Sequence, residues 1–184
     1  MKYTEQLLKI GVIGCGNIAQ TFHLPILKYQ NQVEVLWLVD TNTSNLKKAA
    51  SLFPAAHQTT DMKAIEGIDA VIIATPPALH FEHVKFALMK SWNVLVEKPL
   101  ATNFNDAGTL VTLAQQKNLT LCVNLNRRFL PHIKILKDII STKPFGDIKK
   151  IKIFDGGRSI GNIEGEGGQT FHSSLTLSGG GGDA

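Results

Sequence analysis

Cysteine is scarce in this chain: of 184 residues only Cys15 and Cys122 are cysteines, far apart and without any CxxC pairing. With no secretory context around them, two reduced thiols in a cytoplasmic protein are expected, and neither a disulfide framework nor a cysteine metal site. Long apolar runs are also missing, since none approaches the roughly 20 residues that span a bilayer. The apolar patch at the N-terminus contains Glu5 and Lys9, which argues against a signal-peptide core. No basic block is present either. Nineteen Lys and Arg against fifteen Asp and Glu leave a net charge of +4, but the lysines are scattered or merely paired, as at Lys47 and Lys48. Neither nucleic acid nor a membrane is therefore an expected partner. What remains, 43% apolar and 18% charged, is the composition of a folded globular protein, long enough for one domain and part of another.

The apolar residues are organised as short runs that alternate with helical stretches. Ile10 to Ile13, Val33 to Val39, a short piece near His57, Ala70 to Ala74, Asn93 to Val96 and Leu119 to Val123 read as strands. Runs such as AVIIA are apolar on consecutive residues, as in a parallel strand covered on both faces. Between them, helices are expected from Asn17, interrupted and restarted by Pro25, which suits a first helical turn, and over Ser44 to Phe53, Leu79 to Met89 and Asn105 to Lys117. Sustained strand-helix alternation implies a doubly wound α/β fold, a parallel Rossmann sheet with helices on both faces and right-handed crossovers. After residue 124 the pattern changes. A helix is expected from Arg127 to Ser141, and Ile148 to Phe154 (IKKIKIF) reads as a strand with one wet face. Residues 1–124 are thus expected to form a dinucleotide-type domain and 125–184 the incomplete start of a second, open-sheet α/β domain, ending in a glycine-rich tail.

GCGNIA, Gly14 to Ala19, fits G-x-G-x-x-G/A after a strand and at the mouth of a helix. Gly14 would permit the tight turn, Gly16 the close approach of a pyrophosphate, and Ala19 the packing of helix on strand, with Asn17 and Ile18 at the helix N-terminus that faces the phosphate. The alternative is a turn that merely contains glycine. Asp40 ends the second strand at the offset expected of a carboxylate that accepts from the adenosine ribose. It would repel a 2′-phosphate, and no arginine follows closely, so NAD is favoured over NADP; the alternative is a helix cap.

His80 and His83 form HxxH on an expected helix. Without an acidic or cysteine partner at ligand spacing, a metal reading is weak, and His80 is expected instead to line the cofactor cleft. VLVEKPLA, from Val94, ends a buried strand in Glu97, Lys98 and Pro99. Ligands of parallel sheets bind beyond the carboxyl ends of the strands, so Lys98 stands where it can hydrogen-bond a substrate hydroxyl or help move its proton, with Glu97 beside the cofactor. The alternative is a surface lysine in a strand-to-helix turn.

IGVIGCGNIAQTFHLPIL, VDTN, IIATPPALHFEHVKFAL, VLVEKPLA and NRRFLP, in that order, resemble the Gfo/Idh/MocA oxidoreductases, the family of glucose-fructose oxidoreductase and inositol dehydrogenase. The resemblance covers about the first 150 residues. It implies NAD(P)-dependent hydride transfer to or from a sugar, cyclitol or related polyol, with Lys98 catalytic and the loop Thr75, Pro76 and Pro77 against the cofactor. Arg128 matches the family's arginine at the start of the second domain, which in full-length relatives carries substrate and homo-oligomer contacts. The family's later D-x-G-x-H motif has no counterpart here, which implies a truncated second domain. On that reading the chain alone is expected to be inactive, so a dinucleotide-binding fragment without turnover stands as the alternative. A methyltransferase on a similar glycine loop is weakened by the EKP and ATPP stretches.

Overall fold

The computed structural model describes residues 7–152. The glycine-rich tail and the end of the strand expected up to Phe154 lie outside the described residues. Six strands form one parallel sheet: β1 (Leu8–Ile13), β2 (Val33–Val39), β3 (His57–Thr59), β4 (Ala70–Ile73), β5 (Asn93–Val96) and β6 (Leu121–Val123). Their spatial order is β3-β2-β1-β4-β5-β6. The chain therefore builds outward from β1 in one direction, returns, and builds outward in the other, which leaves a topological switch point between β1 and β4.

Consecutive apolar residues in these strands divide between two cores. Ile13, Val71, Ile73, Val94 and Val96 pack on one face with Val84, Ala87 and Leu88 of α3 (His80–Met89) and Leu110 and Ala114 of α4 (Phe104–Gln116). Ile10, Val12, Val35, Leu38 and Ile72 pack on the other with Leu24 of α1 (Leu24–Leu27) and Leu46 and Ala49 of α2 (Thr43–Leu52). Alternate residues of a strand point to opposite faces, so a run such as Val71–Ile72–Ile73 feeds both cores. The continuous apolarity that identified these strands is a consequence of helices on both sides.

Helix starts follow local chemistry. The Asn42 side chain accepts from the amides of Ser44 and Asn45 at the head of α2. Asn103 does the same for Asp106 at the head of α4, each satisfying amides that have no intrahelical partner. Asn42, and not Asp40, is thus the cap of α2.

Three expectations are corrected. Pro25 does not break the first helix, although it does sit in the first turn of α1 as a restart would have it; residues 17–27 are helical throughout, with a π turn at Ala19–His23 in which the Leu24 amide reaches back to Ala19 O. A proline ring clashes with the carbonyl four residues earlier, here that of Thr21, and a widened turn relieves that crowding. The helix expected from Arg127 to Ser141 is split by Leu130–Pro131 into a 3₁₀ turn, Asn126–Phe129, and α5 (Pro131–Thr142), because the residue before proline avoids helical dihedrals. Residues 148–152 are exposed and form no strand. Their alternating pattern suits a strand, but a strand needs a ladder partner, and none lies beside them among the described residues.

Candidate functional site

At the carboxyl edge of the sheet, the residue just after each of five strands extends the ladder by one bond. The amides of Asp40, Gly14, Ala74, Glu97 and Asn124 donate to Thr59 O, Val39 O, Ile13 O, Ile73 O and Val96 O, at 2.8–3.3 Å. In sheet order these residues follow β2, β1, β4, β5 and β6. They therefore form one row, with Asp40 at one side of the switch point and Glu97 and Lys98 at the other. Three strand spacings, about 14 Å, separate those two positions.

The glycine turn sits in the middle of the row. Gly14 has φ +89°, and a Cβ on it would meet Ala74 O at 2.6 Å and Thr75 Cγ2 at 2.9 Å. Only glycine fits both the backbone and the space. Gly16 is different: a Cβ there meets nothing within 4 Å. The space before Gly16 is open, as close approach of a phosphate would require. Asn17 and Ile18 follow as the first helical residues, so amides without intrahelical partners border that space.

Asp40 braces this turn. Its Oδ2 accepts from the Cys15 amide at 2.8 Å and from Asn45 Nδ2 at 3.2 Å, and its Oδ1 accepts from the Asn42 amide at 2.7 Å. Gln20 closes the same cluster by donating to Cys15 O at 2.6 Å. The Cys15 thiol is buried beneath the turn. Burial, then the charge of Asp40, push it up to about 12 against a weak bond to Val39 O, so it is neither a nucleophile nor a metal ligand at ordinary pH.

On the far side of the switch point, Glu97 Oε1 accepts from His23 Nε2 at 2.8 Å and from Asn124 Nδ2 at 2.7 Å. Burial pushes the Glu97 carboxyl up. The bonds from His23 and Asn124, the charge of His23 and the Lys98 amide outweigh it and hold the carboxyl below its ordinary 4.5. Lys98 itself is exposed, and its ammonium has no hydrogen bond or ion pair among the described residues. The Lys98–Pro99 peptide is cis. Glu97 thus anchors the loop that carries Lys98 to the first helix and to the end of β6.

Thr75 and Pro76 follow β4 and lead into a 3₁₀ turn, Pro77–Leu79. Thr75 Oγ1 lies 3.1 Å from His83 Nδ1. His80 does not line the cleft as expected: it is fully buried, with Nε2 2.7 Å from Thr75 O and Nδ1 2.6 Å from Pro99 O. A ring nitrogen held by a carbonyl cannot ligate a metal, and among the described residues no group of three or more His, Cys, Asp or Glu could hold one. Arg128 lies in the 3₁₀ turn after β6, on the surface.

Sequence reasoning brought Gly14, Gly16, Asn17, Ile18, Asp40, Thr75, Pro76, Glu97 and Lys98 to this edge. It missed His23 and Asn124, which lie 74 and 27 positions from Glu97. No local pattern links such partners; only the sheet order and the π turn bring them together.

Comparison with known proteins agrees with the geometry. Glucose-6-phosphate 3-dehydrogenase of Bacillus subtilis is 30% identical over 145 residues, 79% of this chain and 41% of that one. The scyllo-inositol 2-dehydrogenase (NADP(+)) IolW of the same organism is 26% identical over 146 residues, again 79% and 41%. Among solved structures, the 3-ketoreductase KijD10 of Actinomadura kijaniata, in complex with NADP and TDP-benzene, superposes with a TM-score of 0.68 at 28% identity, over 74% of this chain and 43% of that one. The WlbA dehydrogenase of Bordetella pertussis, in complex with NADH and UDP-GlcNAcA, gives 0.71 at 25%, over 77% and 41%. The chain spans about two-fifths of the length of these relatives. Residues 8–125 match the model of the oxidoreductase family with an NAD-binding Rossmann fold, and with the glycine turn, Asp40 and the Lys98 loop on one sheet edge, the chain belongs to that family, the Gfo/Idh/MocA oxidoreductases.

Proposed function

We propose that the chain binds a nicotinamide dinucleotide, NAD in preference to NADP, along the carboxyl edge of its sheet, as the cofactor-holding part of a dehydrogenase for a sugar, cyclitol or related polyol. The observation that carries this reading is the row of post-strand residues, with a carboxylate at one end, an open glycine turn in the middle and, at the other, an exposed ammonium unpaired among the described residues. Asp40 takes the adenosine ribose. The amides of Gly16, Asn17 and Ile18 take the pyrophosphate. Thr75, Pro76 and Lys98 border the nicotinamide end, and Glu97 holds the Lys98 loop in place.

When bound, the cofactor supplies a hydride acceptor or donor at C4 of the nicotinamide. Lys98 offers N–H donors to the hydroxyl or carbonyl oxygen at the reacting carbon and helps hold or move its proton. A polyhydroxylated substrate class is supported by relatives named for acting on glucose 6-phosphate and scyllo-inositol. The two free thiols favour a cytoplasmic setting. No helix among the described residues is long and apolar enough to cross a membrane.

Titration of the chain with NADH and, separately, S-adenosylmethionine tests the binding half of the reading: saturable NADH binding and none of the methyl donor are expected. Reversal of that order removes the reading. A panel of polyols with NAD, run on a version of the chain that carries a complete second domain, tests the second half, since NADH binding without turnover by that longer protein would leave only a dinucleotide module.

A further inference from the structure

The HxxH pair on α3 has no place in the proposed chemistry, yet three of its four ring nitrogens are engaged. Two of them meet Thr75, once at its carbonyl and once at its hydroxyl, and the third meets Pro99 O. Thr75 and Pro99 follow different strands, β4 and β5, and flank the position of Lys98. We infer that His80 and His83 form a positioning element that joins the turn after β4 to the Lys98 loop, so that both meet the nicotinamide end of the dinucleotide as one preformed surface. The inference rests on the proposed dinucleotide reading.

The geometry supports this role in three ways. His80 is the only buried polar side chain among the described residues, and it meets a carbonyl on each side of the ring. An imidazole with both nitrogens protonated donates to both; with one, to either. No aliphatic side chain of that size replaces it without removing the donor that these part-buried carbonyls face. His83 is half-buried; burial, then His80, push it below its ordinary 6.5, against Glu82, which raises it. A neutral ring keeps one lone-pair nitrogen; with that lone pair at Nδ1, the ring accepts a hydrogen bond from the Thr75 hydroxyl 3.1 Å away. Neither histidine is hydrogen-bonded to the glycine turn or to Asp40; Thr75, whose Cγ2 lies beside Gly14, is where the two halves of the site adjoin, and comparison of two ligands separates their contributions.

ADP-ribose, which has the adenosine, pyrophosphate and both riboses but no nicotinamide, makes the test. Calorimetric titrations of the full chain with NADH and with ADP-ribose compare the wild type with His80→Leu, His80→Gln and His83→Leu. Both leucine variants are expected to lose about tenfold in NADH affinity, the scale of one or two hydrogen bonds, with ADP-ribose unchanged to within about twofold. His80→Gln, which keeps an N–H donor, recovers part of the loss. Should His80→Leu fail to fold, His83→Leu and His80→Gln still decide. Equal losses for the two ligands, or an unchanged NADH affinity, overturn the positioning role while leaving the dinucleotide reading intact. A wild type that binds neither ligand overturns both.

Discussion

Asp40 Oδ2 accepts a hydrogen bond from the backbone amide of Cys15 at 2.8 Å, so the residue that follows β2 also holds the glycine turn that follows β1. The same oxygen accepts from Asn45, and the other from the Asn42 amide. A carboxylate with this many bonds to the protein is already oriented before any ligand arrives, which lowers the entropic cost of meeting a ribose diol.

Cofactor preference follows from that arrangement. NADH is expected to bind at least about tenfold more tightly than NADPH, because a 2′-phosphate would face a carboxylate at close range. Asp40→Ser is expected to narrow the gap chiefly by weakening NADH, since the turn loses its brace along with the ribose acceptor. Paired fluorescence titrations measure this; an NADPH affinity equal to or above that of NADH in the wild type would remove Asp40 from the ribose.

The two glycines of the turn should fail in different ways. Gly14→Ala introduces an unfavourable positive φ, costing roughly 1–2 kcal/mol, and a collision with the Ala74 carbonyl, so the melting temperature is expected to fall sharply. Gly16→Val meets open space. It should melt near the wild type while losing dinucleotide binding, and a folded Gly16→Val protein with normal affinity would show that no phosphate lies there.

Acid stability should report on Glu97. Its carboxyl titrates lower in the folded protein than the ordinary 4.5, so it binds fewer protons folded than unfolded wherever the two states differ. The resulting stability is present above about pH 4.5 and is lost as the pH falls through the folded value. Glu97→Gln keeps a hydrogen-bond acceptor but removes the titration, and its unfolding free energy measured from pH 6 downward should decline less steeply than that of the wild type. Parallel curves would mean that the Glu97 carboxyl titrates alike in the folded and unfolded chains.

The two thiols should differ in reactivity. Cys15 is buried with its thiol raised to about 12, whereas Cys122 is exposed. A chromogenic disulfide reagent is therefore expected to titrate Cys122 promptly in the native protein and Cys15 only after denaturant is added. Prompt reaction of Cys15 would show that the glycine turn opens readily.

The fold was legible where one side chain or one run carries its own constraint. AVII, bounded by Pro76 and Pro77 and set among alternating helical stretches, reads as a strand covered on both faces, and Gly14 is identified by its place between a strand and a helix start. The site was legible along the same line, because the sheet places the residue after each strand on one edge. What escaped reading depends on contacts across the sheet. The pairing of Glu97 with His23 requires knowing that the π turn reaches the residue after β5, 74 positions on, and the burial of His80 requires the Pro99 carbonyl, 19 positions away. The alternating pattern at 148–152 failed for a related reason, since alternation specifies which face is wet but supplies no neighbour.

The π turn at Ala19–His23 ties the length of the first helix to the identity of residue 25. Each residue of an α-helix advances the azimuth by about 100°, and the wide turn holds one residue more than an α-helical turn of the same rise. The helix start at Asn17 and the buried Leu24 are therefore out of phase by one position, with His23 swung onto the bearing that reaches Glu97. Deleting one residue between 17 and 24 would restore the α-helical phase but return the Pro25 ring to a carbonyl four positions back. Replacing Pro25 would free the turn to tighten and carry His23 around the axis, away from its carboxylate. In this helix length and composition can change only together.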